Sequence, residues 1–306
     1  MIHRPPHIVV IGSANTDLAM RVPKLPGPGE TVTGGQFLVV AGGKGANQAV
    51  AAARAGARVT LIASVGRDGF GNAALKGLRR EAIDTRYVVR SRRAASGVAL
   101  IMVDANGENL IGVAPGSNDE LSPQHIDAGL TALCAARCLV VQLEIPLPTV
   151  RRAIELAVRR DVPVLLNPAP AQRVPKDLLR NVTFLTPNEH ELQALTGLPA
   201  RRKPEIESAA RRLKTAERQH VLVTCGPRGV CWCSTEGLRW FPAPMVRAMD
   251  TVGAGDCFSG VVAAALAEGR PIADAIRFGI AAASISVTRP GAQASMPFRR
   301  EILKAL

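Results

Sequence analysis

Apolar residues follow two rhythms along this chain. Short, mostly apolar runs at Ile8 to Ile11, Cys138 to Leu143, Val162 to Asn167, Val182 to Thr186 and Val221 to Thr224 have the length and β-branched content of buried strands. Between and after them, Val150 to Arg160, Glu189 to Thr196 and the alanine-rich Cys257 to Glu268 read as helices. Strands buried on both faces and alternating with helices predict an α/β fold, a doubly wound and mainly parallel sheet flanked by helices. The stretch from Pro23 to Gly45 differs: it is rich in Pro and Gly but contains the alternating pieces Thr31 to Thr33 and Phe37 to Val40, as short strands and turns would. Ser96 to Asp104 and Asn109 to Val113 flank Asn106-Gly107, a dipeptide suited to a tight hairpin. Together these stretches predict a small β-sheet lid, about 16–41 and 96–113, within a single domain spanning 1–306.

Composition agrees with one large core. The chain has 306 residues, 47% hydrophobic and 21% charged, enough to bury an extended sheet without dividing. Neither a linker, an internal repeat nor a low-complexity tract interrupts it. A net charge of +13 raises nucleic acid as a partner. The basic residues, however, are scattered in pairs such as Arg79-Arg80, Arg151-Arg152 and Arg211-Arg212, and aromatic residues are only 3%, so stacking platforms are scarce. No nucleic-acid role is expected. The six cysteines lack zinc-ligand spacing and read as reduced core residues. Met1 to His7 carries no apolar leader and no run reaches membrane-spanning length, so a cytoplasmic protein with no membrane partner is expected.

The candidate chemistry lies in segments where small residues meet polar ones. Asp250-Thr251-Val252-Gly253-Ala254-Gly255-Asp256 runs straight into a helix. Its small residues leave the first helical N–H groups open to an anion, and Asp256 is placed to act as a general base beside it. Taken alone, the run is equally an ordinary helix start with Asp256 as a cap. Gly42-Gly43-Lys44-Gly45-Ala46-Asn47-Gln48 is a second strand, glycine turn and helix start. It is neither a P-loop, since Gly45 follows the lysine, nor a dinucleotide fingerprint, since Asn47 stands where the third glycine belongs. What remains is a close-approach loop whose Asn47 suits hydroxyl groups; Lys44 at a helix start is as readily a solvated side chain. Asn15 and Asp17 form the polar tip expected after the first strand, apt for a polyhydroxylated ligand. Glu144, ending an apolar run, either serves such a ligand or reaches solvent, and Asn188 either binds a ligand or caps the helix after it.

These segments, with Pro28-Gly29-Glu30-Thr31, Gly66 to Gly71, Ala114 to Asn118, Gln142-Leu143-Glu144, Asn188 to Glu191 and Thr288 to Gln293, resemble the ribokinase family of sugar kinases, the PfkB carbohydrate kinases. The resemblance spans almost the whole chain. It implies ATP-dependent phosphorylation of the 5-hydroxyl of D-ribose, with Asp256 as base and Gly253, Ala254 and Gly255 as anion hole. Asn15, Asp17, Gly43, Lys44, Asn47, Glu144 and Asp256 would hold the sugar. Asn188, Thr224, Gly226, Gly229 and Gly255 would serve ATP, with Glu191 in the magnesium region. A potassium ion (K+) would lie among Asp250, Val252, Ser286, Arg289, Gly291 and Ser295, several through backbone carbonyls, alongside Mg2+ on the nucleotide. The family also implies a homodimer formed through the lid. Deoxyribose, a nucleoside or another sugar is the alternative substrate, and a non-catalytic sugar-binding regulator the alternative class.

Overall fold

The computed structural model describes residues 5–306, so residues 1–4, part of the segment read for a leader, lie outside the described residues. In chain order the strands are β1 (His7–Ile11), β2 (Asn15–Arg21), β3 (Gln36–Gly42), β4 (Arg58–Gly66), β5 (Asp84–Ser91), β6 (Gly97–Val103) and β7 (Asn109–Ala114). There follow β8 (Cys138–Val141), β9 (Val164–Leu166), β10 (Phe184–Leu185), β11 (His220–Thr224), β12 (Val230–Ser234) and β13 (Gly237–Phe241). Nine of them form one sheet in the order β13-β12-β11-β10-β9-β8-β1-β4-β5, parallel from β11 to β5, with β12 and β13 antiparallel at one edge.

The central strands are apolar at successive positions because both their faces are covered. On β1, Ile8 and Val10 point into one core, with the helices Lys44–Arg54, Ala254–Ala267 and Ile272–Ser286. Val9 and Ile11 point into the other, with the helices Leu147–Val158 and Lys203–Leu213. The strand order reverses between β1 and β8: the chain winds from β1 outward through β4 to β5, then returns and winds the other way from β8. In an open parallel sheet that reversal opens a crevice at the carboxyl ends of the strands.

A second sheet, β3-β2-β6-β7, stands apart. Its hairpin turns at Asn106-Gly107 as expected, with Gly107 at φ 84° and its N–H on the Asp104 carbonyl at 3.1 Å. Two expectations need correction. Thr31 to Thr33 is not a strand, three alternating residues being too few to hold a ladder. Asn15 and Asp17 are not the tip of β1: the chain turns at Gly12 to Ala14 and both residues open β2, where Asn15 pairs with Gly42 and Gly97.

Candidate active site

The crevice at the β1/β8 reversal is closed by the glycine turn after β3. Gly43 has φ 88°, and a Cβ there would stand 2.5 Å from the Asn15 backbone nitrogen, so only glycine lets the turn lie against Ala14 and Asn15. The helix Lys44–Arg54 starts at this turn and packs on the helix Ala254–Ala267. Gly260 allows the contact, since a Cβ there would meet the Gln48 carbonyl oxygen at 2.4 Å. The N-termini of both helices are thereby brought over one crevice.

Glu144 does not drift into solvent. Its Oε2 accepts the Ser13 hydroxyl at 2.5 Å and the Lys44 backbone N–H at 3.0 Å, fixing it at a helix N-terminus where negative charge is favoured. Asn15 accepts through Oδ1 from Asn118 Nδ2 at 2.6 Å, while Asn118 Oδ1 accepts the Ala14 N–H at 3.0 Å. Asp256 is buried, its Oδ2 accepting from Asn47 Nδ2 and its Oδ1 from Gln48 Nε2, both at 2.9 Å. It is thus no helix cap: the N-cap is Gly253, at φ 75°, with no side-chain cap bond. Among the described residues, the N–H groups of Gly253, Gly255 and Asp256 donate to no acceptor, as expected of a first helical turn open to a ligand.

Charge binds these groups into one field. Burial pushes the Asp17 carboxyl up to about 6, reinforced by the negative Glu144 and Asp256 and opposed by Lys44. Burial works against charge on Lys44, but Asp256, Glu144, Glu191 and Asp17 outweigh it and hold the ammonium above its ordinary value. Burial also raises Glu191, against the Asn188 N–H and Lys44.

On the far side of Lys44, Asn188 and Glu191 form a reciprocal capping box. Asn188 Oδ1 accepts the Glu191 N–H at 2.8 Å, and the Glu191 oxygens accept the Asn188 N–H and Nδ2, each at 2.9 Å. Asn188 therefore does cap its helix, and a parallel bridge joins it to Thr224. Beyond Thr224 the turn bends through Gly226 (φ 53°) and Gly229 (φ 87°) into β12. Among the described residues no three His, Cys, Asp or Glu side chains group as a metal cage. Glu191 accordingly fits magnesium only as it is met on a nucleotide, where phosphates and water supply most ligands.

The candidate potassium residues lie on two segments joined by Asp250. Its Oδ1 accepts the Val252 N–H at 2.9 Å and its Oδ2 the Gly291 N–H at 2.8 Å. Ser286 and Ser295 donate their hydroxyl protons to the Ala283 and Ala292 carbonyls, both at 2.8 Å, which leaves oxygen lone pairs for a cation. The Arg289 guanidinium is turned to Glu301 at 2.6 Å, so only its carbonyl is available. This donor set fits a hard monovalent ion.

Sequence reasoning assigned no role to Ser13, Gln48, Asn118, Gln142 or Asn167. The signal was present: Gln48, Gln142 and Asn167 are polar residues inside apolar segments, and buried amides need partners.

Comparison with known proteins agrees with this geometry. The chain is 40% identical over 299 residues to a ribokinase of Haemophilus influenzae, covering 98% of each chain. It is 39% identical over 291 residues to a deoxyribokinase of Salmonella typhi, covering 95% of each. Its fold superposes with TM-score 0.91 on Arabidopsis thaliana ribokinase complexed with ribose and ATP, at 31% identity and 98% coverage of both chains. The model of the pfkB family carbohydrate kinases matches residues 5–299. With a parallel sheet reversing at a crevice that gathers carboxylates, an ammonium and one open helix N-terminus, the chain belongs to the pfkB family of carbohydrate kinases.

Proposed function

We propose that this chain transfers the γ-phosphoryl group of ATP to the 5-hydroxyl of D-ribose, giving ribose 5-phosphate and ADP. The observation that carries the reading is the start of the helix Ala254–Ala267, where a buried carboxylate and unengaged N–H groups belong to consecutive residues. Asn15, Asp17, Gly43, Lys44, Asn47 and Glu144 hold the sugar, and Asp256 takes the proton from its 5-hydroxyl. The oxygen then attacks the γ-phosphorus, the bond to the β,γ-bridging oxygen breaks, and ADP leaves. Gly253 and Gly255 receive the charge that gathers on the transferring group through backbone N–H, and Ala254, whose own N–H meets the Thr251 carbonyl at 3.3 Å, completes the anion-hole turn between them. Asn188, Thr224, Gly226 and Gly229 form the nucleotide side, and Glu191, held by Asn188, would lie in the region of a magnesium ion that would neutralise phosphate charge. Asp250, Val252, Ser286, Arg289, Gly291 and Ser295 would hold potassium, which would steady the loop that leads into the anion hole.

The second sheet, with the segments 16–41 and 96–113, serves as lid and as dimer contact of a single domain. The face of this sheet that carries Asn15 and Asp17 looks toward the sugar. Strand register puts Phe37, Val39, Leu100 and Leu110 on the opposite face, each more than half exposed. An apolar surface of that kind is suited to a second copy of the chain. All six cysteines are free, as suits the cytoplasm, and no nucleic-acid partner is needed to account for the scattered positive charge.

Asp256→Asn tests the chemistry. Turnover, followed as ADP release with ATP, magnesium and ribose, should fall by at least about a thousandfold while ribose binding changes only a few-fold. Retained turnover would remove Asp256 from the role of base. The similarity to a deoxyribokinase puts 2-deoxyribose beside ribose in the same assay, and a higher kcat/KM for deoxyribose would keep the mechanism and change the substrate.

A further inference from the structure

Asp256 is held by two neighbours of different kinds. Asn47 is 5% exposed and belongs to the proposed sugar pocket, and its Oδ1 has no partner, so a bound sugar can share or replace its contact with Asp256. Gln48 is wholly buried, and no substrate reaches it.

The direction of the Gln48 amide follows from the bonds around it rather than from how its nitrogen and oxygen are assigned. The chain of contacts begins at the Thr186 backbone carbonyl, which can only accept. Asn167 must therefore turn Nδ2 toward it, at 2.8 Å, and its Oδ1 toward Gln48. Gln48 must in turn present Nε2 to Asn167 Oδ1, at 3.0 Å, and the second hydrogen of that nitrogen reaches Asp256 Oδ1 at 2.9 Å. Gln48 Oε1 accepts from Gln142 Nε2 at 2.7 Å, so every polar site of the amide facing this network is engaged. Reversing Gln48 would set its oxygen against two acceptors in a dry site.

We propose that Gln48 is a positioning residue for Asp256: a fully buried amide, oriented by Asn167, Thr186 and Gln142, that fixes the plane of the carboxylate and leaves Oδ2 to take the substrate proton. This rests on Asp256 being the base. Gln48 touches no reacting atom and acts through Asp256 alone.

The test compares Gln48→Leu and Gln48→Glu with the unaltered protein and with Asp256→Asn. In Gln48→Leu, kcat should fall by about 10²-fold, the scale of a misaligned reacting group, with KM for ribose and ATP held within about threefold. Ribose binding without ATP, measured by calorimetry, should likewise stay within about threefold, because only the aim of the Asp256 carboxylate has changed. Gln48→Glu keeps the shape and covers the case in which leucine strands Gln142 and Asn167 and the protein does not fold. It should lower kcat at least as far, since its carboxyl oxygen would face two acceptors, Asn167 Oδ1 and Asp256 Oδ1. A purely structural role would raise KM and weaken ribose binding along with the fall in kcat, and either that pattern or an unchanged kcat in a folded variant overturns the proposal. If Asp256→Asn is inactive while the Gln48 variants match the unaltered protein, only the positioning role falls; an active Asp256→Asn removes both readings.

Discussion

Asp17, Glu144, Glu191 and Asp256 all act on one ammonium, Lys44, and this excess of negative charge governs the response of the pocket to pH. Asp17, pushed up to about 6, binds its proton more tightly in the folded chain than in the unfolded one, where the ordinary value is 3.8. Its contribution to stability is therefore greatest below pH 3.8 and is lost as pH rises toward about 6. As a sugar ligand it works in the opposite sense, because the ionised carboxylate is the better acceptor. Ribose affinity, measured by calorimetry without ATP, should weaken as pH falls below about 6, and Asp17→Asn should abolish that dependence; an unchanged profile would take Asp17 out of the pocket. The polar residues legible in the sequence, Asn15, Asp17, Glu144 and Asp256, lie beside glycine turns or strand ends, where type and place suffice. Gln48 and Asn167 stand out as polar residues in apolar segments, but their roles were not legible, because these depend on partners more than a hundred positions away.

Among the elements, those buried on both sides were read best. The strands β1, β8 and β9 and the helices Glu189–Thr196 and Ala254–Ala267 follow their apolar runs closely. β2, β4, β5, β12 and β13 were not foreseen, although β4 is buried along almost its whole length. β2, Asn-Thr-Asp-Leu-Ala-Met-Arg, grades from buried to exposed along its length instead of alternating, since its sheet is covered only near the crevice. That sparse covering supports the dimer reading, and Leu100→Lys probes it at the centre of the apolar face. Light scattering should find a dimer for the unaltered chain and a shift toward monomer for the variant, while a monomeric unaltered chain would refute the contact. The two lid segments were recognised from turn chemistry, Asn106-Gly107 above all, and their partners along the ladder were not, because register forms between distant strands.

Across the whole molecule, the proposed phosphoryl-transfer residues belong to helices on the main sheet, while Asn15 and Asp17 stand on the second sheet. Asp250 joins two segments forty-one positions apart, and the Met249 N–H reinforces the joint on the Val287 carbonyl at 2.7 Å. Exchanging potassium for tetramethylammonium at constant ionic strength should lower kcat several-fold, more than it alters KM for ribose, if a cation there steadies the anion hole; equal rates in both salts would count against the site. The separation of the two sheets also bears on descent. Asn15 and Asp17 can change without touching the helix proposed to handle phosphate, whereas Asn47, bonded to Asp256, cannot. A deoxyribokinase and a ribokinase stand at nearly the same distance from this chain, 39% and 40% identical, so overall identity alone does not choose between their sugars.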